Sequence, residues 1–151
     1  MLEVEKPADM ATYAGSVLGT SDWLTVDQAM IDRFAEATGD HQWIHVDVER
    51  ARREMPGGKT IAHGYLTLSL VPRLSQSILK IKRRSRGINY GSNTVRFLNP
   101  VAAGNRVRLV QGLKAVEPIE GGQRLIFEMR VEIEGEERPA LVAETIALAY
   151  D

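Results

Sequence analysis

The chain has 151 residues, 44% hydrophobic and 26% charged, with a formal charge of −1. That is enough for one soluble domain with a real core, and it gives no global attraction to nucleic acid or anionic membrane. The absence of cysteine excludes disulfides, thiolate catalysis and Cys-based zinc sites. Met1 to Lys6 lack the basic start and apolar run of a signal peptide. The longest charge-free apolar run, Thr60 to Pro72, is too short to cross a bilayer. A cytoplasmic protein with no membrane partner is the expectation.

Thr25-Val26-Asp27-Gln28 reads as a capping box, Thr25 the N-cap and Gln28 three residues on. The helix it opens runs to about Thr38, with Ile31, Phe34 and Ala35 on one face and Asp32, Arg33 and Glu36 off it. Gly39 fits the position just past the helix end, where a left-handed backbone is cheap only for glycine. Asp40 therefore leaves on a fixed trajectory. Asp47 caps a second, shorter helix from Val48 to about Glu54, and Pro56-Gly57-Gly58 forces a loop.

From His63 to about Leu79 comes the longest apolar-periodic segment. Its apolar residues cover most of a helix circumference, which predicts a buried helix, kinked at Pro72. After Gly87 the period changes to two. Leu125, Phe127, Met129, Val131 and Ile133 alternate with charged residues, Ile126 the exception, as in a strand with one wet face. Strands near 88–98, 105–116, 123–134 and 139–150 predict a four-stranded antiparallel meander. The fold class is α+β, one domain over 1–151, a long helix packed on a curved antiparallel sheet.

Gly39-Asp40-His41-Gln42-Trp43-Ile44-His45-Val46-Asp47 sets a carboxylate and an imidazole five residues apart in a turn-rich segment. Ile61-Ala62-His63-Gly64 then puts a glycine at the start of the central helix. Asp40 and His45 can hold one water between them. Gly64 offers an unpaired N–H at the positive end of a helix, approachable because it has no side chain. Each residue alone has an ordinary reading: Asp40 a turn former, His45 a hydrogen-bonded structural histidine, Gly64 a packing glycine. His63 is read as structural, helping to fix the helix start. Their joint occurrence is what points to adding or removing water beside a carbonyl. A zinc site drawn from His41, His45, Asp40, Asp47 and His63 is the rival use. It is set aside because His41 and His45 do not share a helix face, so neither metal nor other cofactor is expected.

Gly39-Asp40, His45 and Ile61-Ala62-His63-Gly64 together resemble the motif of the MaoC-like hydratases, the (R)-specific enoyl-CoA hydratase and dehydratase group. The wording Gly-Asp-His-Gln-Trp-Ile-His-Val-Asp, with Ile88-Asn89-Tyr90-Gly91 and Val95-Arg96-Phe97, is similar to the nodulation-protein-N-like branch. The resemblance implies a hotdog fold, assembled as a homodimer or dimer of dimers. It also implies Asp40 and His45 as the catalytic pair, and syn addition of water to a trans-2-enoyl thioester. Coenzyme A then enters only as part of an acyl-CoA substrate, with an acyl-carrier thioester the other form. Gln42-Trp43 stands where most members carry Asn-Pro, and Pro72 where some carry a serine.

Lys80 to Arg86 holds five basic residues in seven. Lys82, Arg83, Arg84 and Arg86 are candidate ligands for the phosphates of coenzyme A, against the plainer reading of a solvated loop. Without interleaved aromatics the run does not indicate nucleic acid. Trp43 is either a tunnel wall or core. Two rival functions use the same residues: a hotdog thioesterase, and a non-catalytic acyl-thioester binding or regulatory protein.

Overall fold

A computed structural model describes residues 1–151. Strand β1 (Leu2–Val4) is followed by a 3-10 segment, then β2 (Ser16–Thr20) and β3 (Leu24–Thr25), which lead into helix α1 (Gln28–Thr38). This helix starts later than the capping box predicts. Thr25 is spent pairing with Arg106 in the sheet, and the cap is Asp27, whose Oδ1 accepts from the Met30 N–H at 2.9 Å. Gln28 is thereby released from capping and turns inward. Gly39 takes the predicted left-handed conformation, φ 78°.

A single turn, α2 (Trp43–Val46), carries His45, and α3 (Val48–Glu54) follows. Asp47 caps α3 as expected, accepting from the Arg50 N–H at 3.0 Å. Trp43 is the first residue of α2, a position whose N–H has no helical partner and which tolerates proline. That explains how tryptophan and the more usual proline can share this place.

The central helix is shorter than its apolar pattern. It comprises α4 (Gly64–Ser69) and α5 (Val71–Ser75), broken at Leu70 because Pro72 cannot donate to the preceding turn. Leu66, Leu70, Val71 and Leu74 are buried, but Tyr65 is 70% exposed, so one flank of the helix is open. Leu79 is not helical. It begins β4 (Leu79–Ile81), which pairs in parallel with β1.

The remaining strands are β5 (Arg86–Phe97), β6 (Arg106–Ile119), β7 (Gly122–Ile133) and β8 (Leu141–Tyr150). Their boundaries follow the sequence pattern, but the meander does not. The order is β2-β6-β7-β8-β5, all antiparallel, so β5 pairs with β8 rather than with β6. The β5–β6 connection instead passes the start of the central helix. There the Ala62 N–H donates to the Val101 carbonyl and the Ala103 N–H to that of Thr60. Alternation encodes which face a residue occupies, not which strand lies alongside.

The core lies between the helix and the sheet. Val107, Leu109 and Leu113 of β6, Leu125 to Ile133 of β7 and Leu141 of β8 meet Leu66, Leu70, Leu74 and Ile78. The period break at Ile126 lies opposite a register shift in β6 between Leu113 and Ala115. No helix is long and apolar enough to cross a membrane.

Candidate active site

Asp40, His45, His63 and Gly64, distributed over three local elements, come together. Asp40 follows the Gly39 turn, and its Oδ1 accepts from the Gln42 N–H at 3.3 Å, an arrangement that closes the turn and leaves Oδ2 available. His45 is buried, and its Nδ1 lies 2.7 Å from the Ile61 carbonyl oxygen. A carbonyl can only accept, so Nδ1 carries the hydrogen, and in the neutral ring Nε2 is left with a lone pair.

His63, also buried, does more than start the helix. Its Nε2 donates to the Asp40 carbonyl at 2.9 Å, and its ring stacks on that of His45 with centroids 3.8 Å apart. Phe34 of α1 also packs against it, tilted, with centroids 4.9 Å apart. His63 Nδ1 has no partner. One buried side chain thus fixes the backbone of Asp40 and the ring of His45.

Asp40, His45 and His63 each present a nitrogen or carboxylate oxygen within 4.8 Å of the others. For Asp40 and His45 that separation suits one bridging water making two ordinary hydrogen bonds. It suits a shared metal ion poorly. Ring nitrogens point their lone pairs in the ring plane, and two planes only 24° from parallel do not converge on one nearby ion. His41 is turned outward, 3.9 Å from Glu36.

A cavity of about 240 Å³ is lined by His45, Gly64, Thr67, Phe97 and Asn99, among others. No carbonyl of the chain accepts from the Gly64 N–H. A Cβ at Gly64 would stand 3.0–3.2 Å from the Phe97 ring, so glycine is needed there for close packing as well as for access. Phe97 forms part of this wall and makes an edge contact with Tyr65 at 5.9 Å.

Two contributors were not visible as such in the sequence. Gln28 Nε2 donates to the His45 carbonyl at 2.8 Å and to Asp32 at 2.9 Å, while its Oε1 accepts from buried Thr60. It ties α1 to the backbone of His45 and to the strand-like segment before the central helix. Its only sequence signal was the capping-box pattern, which pointed elsewhere. Phe97 was singled out only as part of a resemblance, without a role. Trp43 lines neither this cavity nor the larger one near Arg84, and the Arg50 guanidinium lies over its ring, 4.0 Å from the centroid.

The basic run lies at the far end of the central helix from Gly64. Lys82 is 3.5 Å from Glu3, Arg83 3.0 Å from Glu5, and Arg86 sits over the Tyr150 ring at 4.2 Å. Arg84 lines a second, larger cavity.

The model of the family described as MaoC like domain matches residues 9–133. A 3-hydroxyacyl-thioester dehydratase Z of Mycobacterium tuberculosis (strain ATCC 25618 / H37Rv) is 48% identical over 147 residues, 97% of each chain. Nodulation protein N of Rhizobium leguminosarum bv. viciae is 49% identical over 144 residues, 93% of this chain and 89% of that one. The unliganded R-hydratase PhaJ1 of Pseudomonas aeruginosa superposes with a TM-score of 0.73 at 20% identity, covering 90% of this chain and 83% of that one. That last likeness is one of fold, and the fold is the hotdog.

Proposed function

The chain belongs to the MaoC-like domain family, and from that premise we propose that it is an (R)-specific enoyl-thioester hydratase, run in reverse as a 3-hydroxyacyl-thioester dehydratase. The 48% identity to a 3-hydroxyacyl-thioester dehydratase over nearly its whole length supports the activity. The observation that carries the site is the pairing of Asp40 with a His45 whose Nδ1–H is committed to Ile61.

A water held between the Asp40 carboxylate and His45 Nε2 is oriented by the first and deprotonated by the second. Its oxygen bonds to the β-carbon of the enoyl thioester as the α,β double bond shifts charge onto the thioester oxygen. The proton taken by Nε2 is then returned to the α-carbon on the same face, so the product gains one water and His45 is restored. Positioned proton transfer of this kind contributes roughly 10²- to 10⁴-fold. In this proposal the free Gly64 N–H receives the enolate oxygen, a donor worth about 3–4 kcal/mol once charge develops.

The substrate is an acyl-CoA or acyl-carrier thioester, handled by a cytoplasmic, single-domain protein working as a homodimer or dimer of dimers. Support for dimerisation comes from β5. It ends the sheet with no strand on its outer side, is exposed almost throughout, and displays Ile88, Tyr90 and Phe97. A long unpaired edge of this kind is a template for another strand. Two β5 edges paired antiparallel bring the Arg86 end of one copy toward the Phe97 end of the other, beside Gly64. Lys82, Arg83, Arg84 and Arg86 would then approach the second copy's site and meet the phosphates of coenzyme A. The ion pairs of Lys82 and Arg83 are exposed and weak enough to re-form with phosphate.

The test is loss of the enoyl-thioester absorbance with crotonyl-CoA and a longer enoyl-CoA, with a thiol reagent in parallel. Loss of the band without free thiol supports the hydratase. Release of thiol makes the protein a thioesterase, and no change with either substrate makes it a binding protein.

A further inference from the structure

A second cavity of about 910 Å³ lies beneath the central helix, beyond the catalytic pair, and its volume is that of a ligand site. Thr67 lines the small cavity and the next residue of α4, Leu68, the large one, though the two share no wall residue. From the edge of the sheet it is lined by the small residues Thr145, Ala147 and Ala149 of β8 and Gly87 and Gly91 of β5, together with Ile88, Ile146 and Leu148.

One wall residue is out of keeping with its strand. On the helix-facing side of β6, Val107, Leu109 and Leu113 are buried and apolar, yet between them stands Gln111, 1% exposed. Its Oε1 accepts from the Ser75 hydroxyl at 2.7 Å. No side chain or backbone group of the protein accepts from its amide nitrogen, and the residue lines the cavity. An amide N–H that a ligand seals off without a partner is costly, because it loses its bond to water and gains none. A plain hydrocarbon filling this space would impose that cost, whereas a chain carrying an oxygen at that depth would relieve it. Ser75 lies eleven residues after Gly64, about 16 Å along a helix at 1.5 Å per residue.

We propose that the large cavity holds the acyl chain of the substrate, and that Gln111, oriented by Ser75, selects chains bearing a hydroxyl or keto oxygen in their distal half. The inference rests on the hydratase reading and adds the substrate class to it. Sites built to pair with a substrate oxygen discriminate strongly against analogues that lack it, while sites that only fill a pocket do not.

The experiment compares kcat/KM for trans-2-dodecenoyl thioesters, plain and with a single keto or hydroxyl group at successive distal positions. A crotonyl thioester, too short to reach Gln111, serves as control. The wild-type protein is expected to favour one oxygenated position at least about tenfold over the plain chain. Gln111→Leu is expected to abolish or reverse that preference while leaving crotonyl turnover unchanged. Gln111→Met, close in volume, serves if the leucine variant does not fold. Preference for the plain chain by the wild type, or equal loss on all substrates in the variants, overturns the proposal. Absence of crotonyl turnover in the wild type instead overturns the hydratase reading beneath it.

Discussion

The imidazoles of His45 and His63 stack 3.8 Å apart, and the second ring also donates to the carbonyl of Asp40 at 2.9 Å. The geometry of the proposed acid/base pair, Asp40 and His45, is therefore set by a third residue that need not touch the substrate. Replacing His63 by phenylalanine keeps a ring against His45 but removes the bond to Asp40. We expect kcat to fall about tenfold to a hundredfold, the cost of a small misplacement near the reacting atoms. His63→Gln retains a donor of similar reach and should recover most of the loss. Unchanged kcat in a folded phenylalanine variant would contradict this role.

Asp40→Asn and His45→Gln should each reduce hydration at least about a hundredfold. Asp40 is exposed, so its replacement should leave the melting temperature near that of the wild type. His45 is buried and bonded to Ile61, so its variant should also melt earlier. Near-normal turnover by either folded variant would remove that residue from the mechanism.

Gly64→Ala places a methyl group 3.0–3.2 Å from the Phe97 ring, inside ordinary contact distance. The ring is 47% exposed and can yield, so the fold should survive while kcat/KM drops at least about tenfold, within the value of one oxyanion donor. Adding Phe97→Ala separates the causes. If access of the thioester oxygen to the N–H is what was lost, the double variant stays slow; full recovery would assign the defect to the displaced ring.

Sedimentation velocity over a range of concentrations should show a dimer or an assembly of dimers, because β5 leaves its outer edge unpaired. A concentration-independent monomer would contradict it. Arg84→Ala with Arg86→Ala should raise KM for a CoA thioester with little change in kcat, the mark of uniform binding. A pantetheine thioester, which lacks the nucleotide phosphates, should be indifferent to the change. Equal loss on both substrates would make the run a solvated loop.

On the sheet, Glu144 accepts from Lys114 at 2.6 Å and from Asn93 at 2.7 Å. These bonds, Lys114 first, hold the Glu144 carboxyl below its ordinary value of 4.5. The hydrogen bond to Glu144, and then its charge, raise the Lys114 ammonium above 10.5. A depressed carboxyl stabilises fully above its unfolded value, and the contribution is lost as pH falls through the folded one. A raised ammonium stabilises fully below its unfolded value and loses the contribution at still higher pH. The pair is thus intact across neutral pH. Glu144→Gln should lower the melting temperature slightly at pH 7, and the difference from wild type should shrink below pH 4.5 and in high salt. A difference independent of pH would assign the effect to packing.

Much was legible in the chain because it depends on neighbours in sequence. The Gly39 turn, the Asp47 cap, the break at Pro72 and the alternation of β7 all follow from a few adjacent residues, whose dihedrals and periodicity are local properties. Other features are bonds between distant segments. His45 is anchored to Ile61 across 16 residues and His63 to Asp40 across 23, and Gln28 reaches the His45 carbonyl across 17. β5 chooses β8 over β6, and the buried amide of Gln111 meets Ser75 from a separate element. Propensity and period report which face a residue occupies, but its partner is chosen only when the core closes and each buried polar group must find a bond or go without one.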